Sequence, residues 1–243
     1  MEREHGRVEA AASIGGAAGL LWADPQGSRR GPKPKFTLEQ IADAGIAIAD
    51  AEGLEAVTMQ RVAERVGATK MALYRYVPGR SELDAVMLDR AIGRPGEPRR
   101  TTGWKASLTA WALDLFERST AHPWAVELVQ SPHTPGPKEM LWFEAGLSIL
   151  NALPLTASER LDVLAVLSGH VMSLVRQGIG GVAAERELSH ALAPILAAMR
   201  QDYPLTAAAF ARVSDEERDR GLRFGIDRVL DGVEVLVARR PAD

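Results

Sequence analysis

The sequence contains no cysteine, which excludes disulfide bonds, thiol nucleophiles and cysteine-based zinc sites. It also has no run approaching the roughly 18 apolar residues that a membrane-spanning helix needs. Aromatic residues make up only 5% of the 243 residues, and segments with the alternating pattern of β-strands are few. These absences favour a helical protein in a reducing compartment. We expect a cytoplasmic location and no membrane partner.

Catalytic patterns are missing as well. No Glu-x-x-His pair recurs, and there is no Ser-His-Asp set, phosphate-binding loop or dinucleotide-binding fingerprint. His122 and His133 have no carboxylates around them in a metal-binding arrangement. We therefore expect neither an enzyme nor a metal or cofactor site.

Charge is unevenly distributed along the chain. Residues 29–80 contain nine Lys/Arg and six Asp/Glu, whereas the remainder has 20 and 26, within a total charge of −3. A basic N-terminal segment joined to an acidic remainder favours nucleic-acid contact by one part of the chain only. Apolar residues, at 46%, are sufficient for a substantial core.

Apolar residues recur at three- and four-residue spacing, which predicts an all-α protein. Thr37, with Gln40 three residues later, predicts a capping box and a first helix that ends near Glu52-Gly53. Further helices are expected from Thr58 to Val66, from Thr69 to Val77 and from Ser81, and then at 104–120, 123–130, 137–151, 158–178, 184–201 and 215–238.

Residues 58–77 have the pattern of a helix-turn-helix. Ala63 provides a small side chain where two helices would cross, and Gly67 permits positive φ where the chain reverses. Leu73 and Val77, one turn apart, would hold the second helix against the first. The opposite side would then carry Lys70, Met71, Tyr74 and Arg75.

This basic and aromatic face suits a recognition helix, which must present donors to phosphates and base edges. The alternative is an ordinary amphipathic helix with half-buried tyrosines and solvated charges. The segment Arg29-Arg-Gly-Pro-Lys-Pro-Lys35 adds four positive charges and no acid. It is interpreted as an arm that neutralises phosphates and enters a minor groove, and the alternative is a solvated linker.

The stretches Thr58-Met-Gln-Arg-Val-Ala-Glu-Arg-Val-Gly67 and Ala68-Thr-Lys-Met-Ala-Leu-Tyr-Arg-Tyr-Val-Pro-Gly-Arg80 resemble the DNA-binding domain of TetR-family transcriptional regulators. The part of the chain after residue 104 resembles, more loosely, the tetracycline-repressor-like branch. The resemblance implies base contacts by Lys70 and Met71 and phosphate contacts by Tyr74, Tyr76 and Arg80. The full predicted set is Arg29, Arg30, Lys33, Lys35, Thr58, Gln60, Thr69, Lys70, Met71, Tyr74, Arg75, Tyr76 and Arg80.

Two C-terminal helices suggest self-association. The helix at 158–178 is apolar all the way round, and such a helix must be covered on both sides. Three glycines interrupt the last helix at about 1 kcal/mol each relative to alanine, which favours close approach of another backbone. We therefore predict a homodimer with a four-helix interface. Its residues are Leu161, Leu164, Leu167, Val171, Gly221, Gly225, Val229, Gly232, Val233 and Leu236.

The resemblance also implies a small-molecule pocket within the helices at 104–120, 137–151 and 158–178. The candidates are Trp111, Leu115, Gln130, His133, Trp142, Phe143, His170 and Met172. Ordinary core positions are the alternative for the aromatic and Met side chains, and a satisfied core histidine is the alternative for His170. The mixture favours a largely apolar ligand.

Together these features predict a regulator that binds double-stranded DNA. The proline- and glycine-rich segment 93–100 marks the main boundary. We divide the chain into a flexible or partly helical leader (1–28), a basic arm (29–35), a three-helix DNA-binding domain (36–80), a connecting helix and linker (81–103) and a larger ligand-binding and dimerisation domain (104–240). The expected function is a homodimeric repressor of a near-palindromic operator, released by a small molecule. A regulator without an effector, and an activator, are the alternatives.

Overall fold

The structure, a computed structural model, describes residues 15–23, 36–96, 103–178, 191–210 and 221–240. These ranges contain helices, turns and loops and no β-strand, which confirms the all-α prediction for this part of the chain. The helices are α1 (Ala17–Trp22), α2 (Leu38–Glu52), α3 (Met59–Arg65), α4 (Lys70–Tyr74), α5 (Arg80–Ile92), α6 (Trp104–Ala121), α7 (Ala125–Gln130), α8 (Pro137–Leu150), α9 (Ala157–Gly178), α10 (191–198), α11 (Pro204–Phe210) and α12 (Gly221–Ala238).

Two features differ from the sequence prediction, the end of α4 and the presence of α11. Helix α4 ends at Tyr74 rather than Val77, because Tyr76 N–H bonds to the Leu73 carbonyl in a tighter turn ahead of Pro78. Helix α11 was not predicted. The first residues of the helices predicted at 184–201 and 215–238 lie outside the described ranges.

The described residues form two compact units. One comprises those within Met1–Glu97 and Glu117–Ala145, and the other those within Pro98–Phe116 and Gly146–Asp243. Residues 117–145, which the sequence assigns to the C-terminal domain, cluster in space with the first unit, because α7 packs against α5 and Trp124 belongs to the same apolar core as α2. The predicted domain boundaries stay a prediction.

The first unit has a continuous apolar core formed by α2 to α5. Its fully buried members include Ile41, Val62, Leu73 and Leu83, which come from four different helices. The predicted capping box at the start of α2 is present, because Thr37 and Gln40 exchange side-chain and backbone hydrogen bonds. The N-terminal domain is therefore held by packing that the local pattern specified.

Helix α1 lies within the segment predicted as a flexible or partly helical leader. It packs against α5, Ala18 is buried, and the Trp22 indole donates to the Pro135 carbonyl at 3.1 Å. The leader residues before 15 and after 23 lie outside the described ranges.

In the second unit α9 packs along α12. The apolar residues Leu164, Leu167 and Val171 of α9 and Ile226 and Leu230 of α12 are buried within the single chain. Ion pairs from Lys105 to Asp231 and Glu234 tie α6 to α12. Among the described helices, none is both long and apolar enough to span a lipid bilayer.

Candidate DNA-binding surface

The turn between α3 and α4 has the geometry that the sequence predicted. Gly67 adopts φ of +69°, which a residue with a side chain rarely tolerates. The Ala68 N–H bonds to the Ala63 carbonyl at 2.8 Å, and Ala63 itself is fully buried. Because α3 and α4 pack closely at this point, the orientation of α4 is fixed relative to the domain core.

Helix α4 separates its side chains into two faces. Leu73 is fully buried in the core, whereas Lys70 and Arg75 are exposed and Met71 is 76% exposed. A methionine with most of its surface in water is unusual for an apolar side chain and is available for an external contact. The combination of two cations around an apolar tip suits a DNA groove.

The two tyrosines are partly enclosed. Tyr74 and Tyr76 pack against the apolar core, and the Tyr76 ring lies edge-on to Phe36 at a centroid distance of 5.4 Å. Lys70 Nζ lies 5.9 Å from the centre of the Tyr74 ring, a cation–π contact. The rings therefore contribute to the packing of the domain, and their contacts with DNA stay a prediction.

The predicted polar contacts at the helix starts are exposed and also act as caps. Thr58 accepts a hydrogen bond from Arg61 N–H, and Thr69 accepts one from Ala72 N–H, both at 3.2 Å. Each hydroxyl retains its own proton for donation to a phosphate. Gln60 donates to Glu64 at 2.6 Å.

Arg80, the phosphate anchor implied by the family resemblance, also has partners within the chain. Its guanidinium donates to the Asp84 carboxylate at 2.7 Å, to the Leu54 carbonyl at 3.1 Å and to the Val57 carbonyl. Burial raises the pKa of Asp84, an effect that the hydrogen bond from Arg80 partly offsets. Arg80 therefore ties α5 to the segment before α3. The predicted arm residues Arg29, Arg30, Lys33 and Lys35 lie outside the described ranges.

One contact of the DNA-binding core was missed by sequence reasoning. Trp124 is 4% exposed, and its indole donates to the Asp50 carboxylate at 2.6 Å. These residues are 74 positions apart. The His122-Pro-Trp124 stretch was available in the sequence, but nothing in its spacing indicates a partner in α2.

The predicted pocket residues divide between the two units. In the second unit Trp111, Leu115 and Met172 are buried, and the His170 ring donates from Nε2 to the Leu222 carbonyl at 3.2 Å. His170 therefore has the internal partner expected of a satisfied core histidine.

In the first unit Trp142 is buried, and its indole donates to the Gly93 carbonyl at 3.1 Å. Phe143 and Gln130 are exposed. His133 lies 3.0 Å from Glu139. Burial alone would lower the pKa of His133, but hydrogen bonds with the Ser131 carbonyl and Glu139 raise it overall.

The residues predicted to form a dimer interface fall into two groups, those buried within one chain and those that remain exposed. Leu164, Leu167, Val171 and Val233 are buried within one chain and have little surface left for a second. The Gly225 backbone lies against the His170 ring of the same chain. The residues that remain exposed or half-exposed are Leu161, Gly221, Val229, Gly232 and Leu236.

Comparison with known proteins agrees with the geometry. Residues 97–237 match the family described as "Tetracyclin repressor-like, C-terminal domain", and residues 41–83 match "Bacterial regulatory proteins, tetR family". The chain is 37% identical over 233 residues to the HTH-type transcriptional repressor DrrR1 of Streptomyces coeruleorubidus, covering 91% of this chain and 86% of that protein. It is 28% identical over 221 residues to an HTH-type transcriptional regulator of Saccharopolyspora erythraea, covering 86% and 90% respectively.

A solved structure shares the fold. The TetR family protein ActR of Streptomyces coelicolor, in complex with actinorhodin, has a TM-score of 0.68 at 22% identity, covering 81% of this chain and 98% of that one. The C-terminal match alone spans more than half of the sequence, and the N-terminal match falls on the helix-turn-helix. The chain therefore belongs to the TetR family, whose members are DNA-binding transcriptional regulators and not enzymes.

Proposed function

We propose that this protein is a repressor that binds a near-palindromic operator as a homodimer and is released by a small, largely apolar molecule. The observation that carries the DNA-binding part is the exposed face of α4, where Lys70 and Arg75 flank the 76% exposed Met71. Lysine and arginine donate to phosphates or guanine edges, whereas a methionine tip can contact the methyl group of thymine.

The dimer is supported by apolar surface on two neighbouring helices. Leu161 and Val166 of α9 are about half exposed, as are Phe224 and Val235 of α12. Gly169 and Gly232 have open space where a side chain would project. Apolar side chains beside open glycines on packed helices suit the close approach of a second chain. Two α4 helices related by a twofold axis would then read half-sites about one DNA turn apart.

The proposals that this protein is a repressor and that it binds a small molecule are supported by the names of its relatives. DrrR1 is named a repressor, and ActR was solved with actinorhodin. In the second unit of this chain, Trp111, Leu115 and Met172 provide apolar side chains on helices that would line the proposed pocket. A ligand would release DNA to the extent that it binds the released conformation better than the DNA-bound one.

DNA binding is tested by selecting duplexes from a random pool and measuring affinity by fluorescence anisotropy at several salt concentrations. Lys70→Ala and Arg75→Ala should weaken binding and reduce the salt slope by about one each if they contact phosphates. Met71→Gln should change the preference at one base pair instead. Arg223→Ala, an exposed cation of α12, is the control. Failure to recover any preferred duplex would refute the proposal.

Ligand binding is tested by a thermal-shift screen of polycyclic aromatic compounds, because a molecule that binds the native state raises the melting temperature. A hit should also lower the affinity for the selected duplex. A compound that stabilises the protein and leaves DNA affinity unchanged would contradict release by that ligand. A reporter gene behind the selected duplex distinguishes a repressor from an activator, because deletion of the regulator raises expression only in the first case.

A further inference from the structure

The turn between α6 and α7 reaches across to the end of α2. The Trp124 indole donates to Asp50 Oδ1 at 2.6 Å, and His122 Nδ1 lies 2.9 Å from the same oxygen. Asp50 belongs to the last turn of α2. A charged oxygen that accepts two N–H donors forms stronger hydrogen bonds than a neutral pair would.

Trp124 joins this polar contact to the apolar core. Its ring is 4% exposed and belongs to the same buried cluster as Val62 of α3 and Leu73 of α4. The indole N–H would be left without a partner in this buried position if Asp50 were absent. Asp50 therefore fixes the direction in which the ring enters the core.

The backbone of the turn is also fixed. The Ala125 N–H bonds to the His122 carbonyl at 2.9 Å, and the Val126 N–H bonds to the Pro123 carbonyl at 3.2 Å. Only three residues separate the end of α6 at Ala121 from the start of α7, and α7 packs against α5. Trp124 is therefore joined to the last turn of α6 by a short connection whose backbone is held by hydrogen bonds.

We propose that Asp50 is a positioning residue, through which the last turn of α6 sets the orientation of the helix-turn-helix. The inference rests on the proposed function of a dimer that binds a spaced operator. Helix α2 packs against α3, and α3 packs against α4, so a fixed end of α2 also fixes α4. In the dimer this contact would hold the two α4 helices at the separation that one half-site spacing requires.

This role differs from simple stabilisation of the fold. Asp50 is an exposed residue, and its loss leaves the apolar contacts of the Trp124 ring in place. Removal of the hydrogen bonds should therefore permit each helix-turn-helix to tilt without unfolding. The expected result is tolerance of altered half-site spacing, which a general loss of stability would not produce.

The experiment uses the full chain and a duplex selected from a random pool, with one or two base pairs added or removed between its half-sites. The variants are Asp50→Ala, which removes the acceptor, and Trp124→Phe, which keeps an aromatic ring and removes the N–H. Trp22→Phe is the control, because it removes the indole bond to Pro135 in the same unit. Circular dichroism establishes that each variant is folded.

For the wild type and Trp22→Phe, we expect a one-base-pair change in spacing to weaken binding by at least about tenfold, the scale of one lost base contact. For Asp50→Ala and Trp124→Phe the same change should weaken binding by no more than about threefold. Folded variants that keep the wild-type penalty would overturn the inference. Unfolding of both variants would also overturn it, because the contact would then be required for folding. A wild type that binds no duplex would instead refute the proposed function.

Discussion

The ring of His170 occupies the space beside the backbone of Gly225. A Cβ atom on residue 225 would clash with His170 Nε2, the nitrogen that donates to the Leu222 carbonyl. Gly225 is therefore explained by a contact within one chain. Close approach of a second backbone, which the glycines of this helix predict, stays a prediction for this residue beside the contact with His170.

Substitution of Gly225 by alanine should therefore destabilise the second unit. The methyl group would displace the His170 ring and break its hydrogen bond, an overpacking effect of roughly 1–3 kcal/mol. The free energy of unfolding from urea denaturation measures it. Gly178→Ala adds the same methyl group in open space at the exposed end of α9 and should change the free energy of unfolding little. Equal effects of the two substitutions would show that His170 does not determine the cost.

Substitution of Arg80 should lower the stability of the protein, whereas substitution of Arg75 should affect DNA binding and leave stability unchanged. Arg80→Ala removes three hydrogen bonds and leaves Asp84 without its cation, so we expect a loss of roughly 1–3 kcal/mol in unfolding free energy. Arg75→Ala should leave the melting temperature unchanged, because that side chain is exposed. Adding Asp84→Asn to Arg80→Ala should recover part of the loss. No recovery in the double variant would contradict a role for the Asp84 charge.

The sequence was informative where the physical signal is local. The capping box joins Thr37 and Gln40, three residues apart, and the turn at Gly67 is determined by residues within one helical turn on each side. Binary patterning likewise identified Leu73 as buried and Met71 as exposed. Such features follow from the period of a helix and from the φ preference of glycine.

The sequence was uninformative where the contact is distant along the chain. Trp124 meets Asp50 across 74 positions, and His170 meets the Leu222 carbonyl across 52. The sequence resemblance implies that Arg80 contacts phosphate, but it does not predict the hydrogen bond from Arg80 to the Leu54 carbonyl, 26 residues earlier. A single sequence contains no period that relates such residues, because their proximity depends on how complete helices pack.

The exposed apolar face of α9 and α12 should mediate self-association. Val166→Glu would place a charge on a residue that is 54% exposed and not needed for packing within the chain. We expect this variant to sediment as a monomer at micromolar concentration, whereas the wild type sediments as a dimer. Leu141→Glu, at an exposed leucine of α8, is the control and should remain dimeric. A monomeric wild type, or a dimeric Val166→Glu protein, would contradict the proposed interface.

The pair formed by His133 and Glu139 should make stability depend on pH. Its hydrogen bonds raise the pKa of His133 in the folded state above the ordinary value of 6.5, despite the opposing effect of burial. The contribution of the protonated ring is therefore fully present below about pH 6.5 and is lost as the pH rises through the folded-state pKa. We expect the difference in melting temperature between the wild type and His133→Ala to be larger at pH 6 than at pH 9.

The matched variant Glu139→Gln keeps a hydrogen-bond acceptor at 139 and removes the charge that favours the protonated ring. In the Glu139→Gln background burial outweighs the remaining hydrogen bond with the Ser131 carbonyl, so the difference between Glu139→Gln and the double variant with His133→Ala should not be larger at pH 6 than at pH 9. Other ionisable groups are common to the two proteins of each pair, so their titration cancels from these differences. A difference between the wild type and His133→Ala that is larger at pH 9 than at pH 6 would mean that the folded state favours neutral His133, and the assigned direction of the pKa shift would then be wrong.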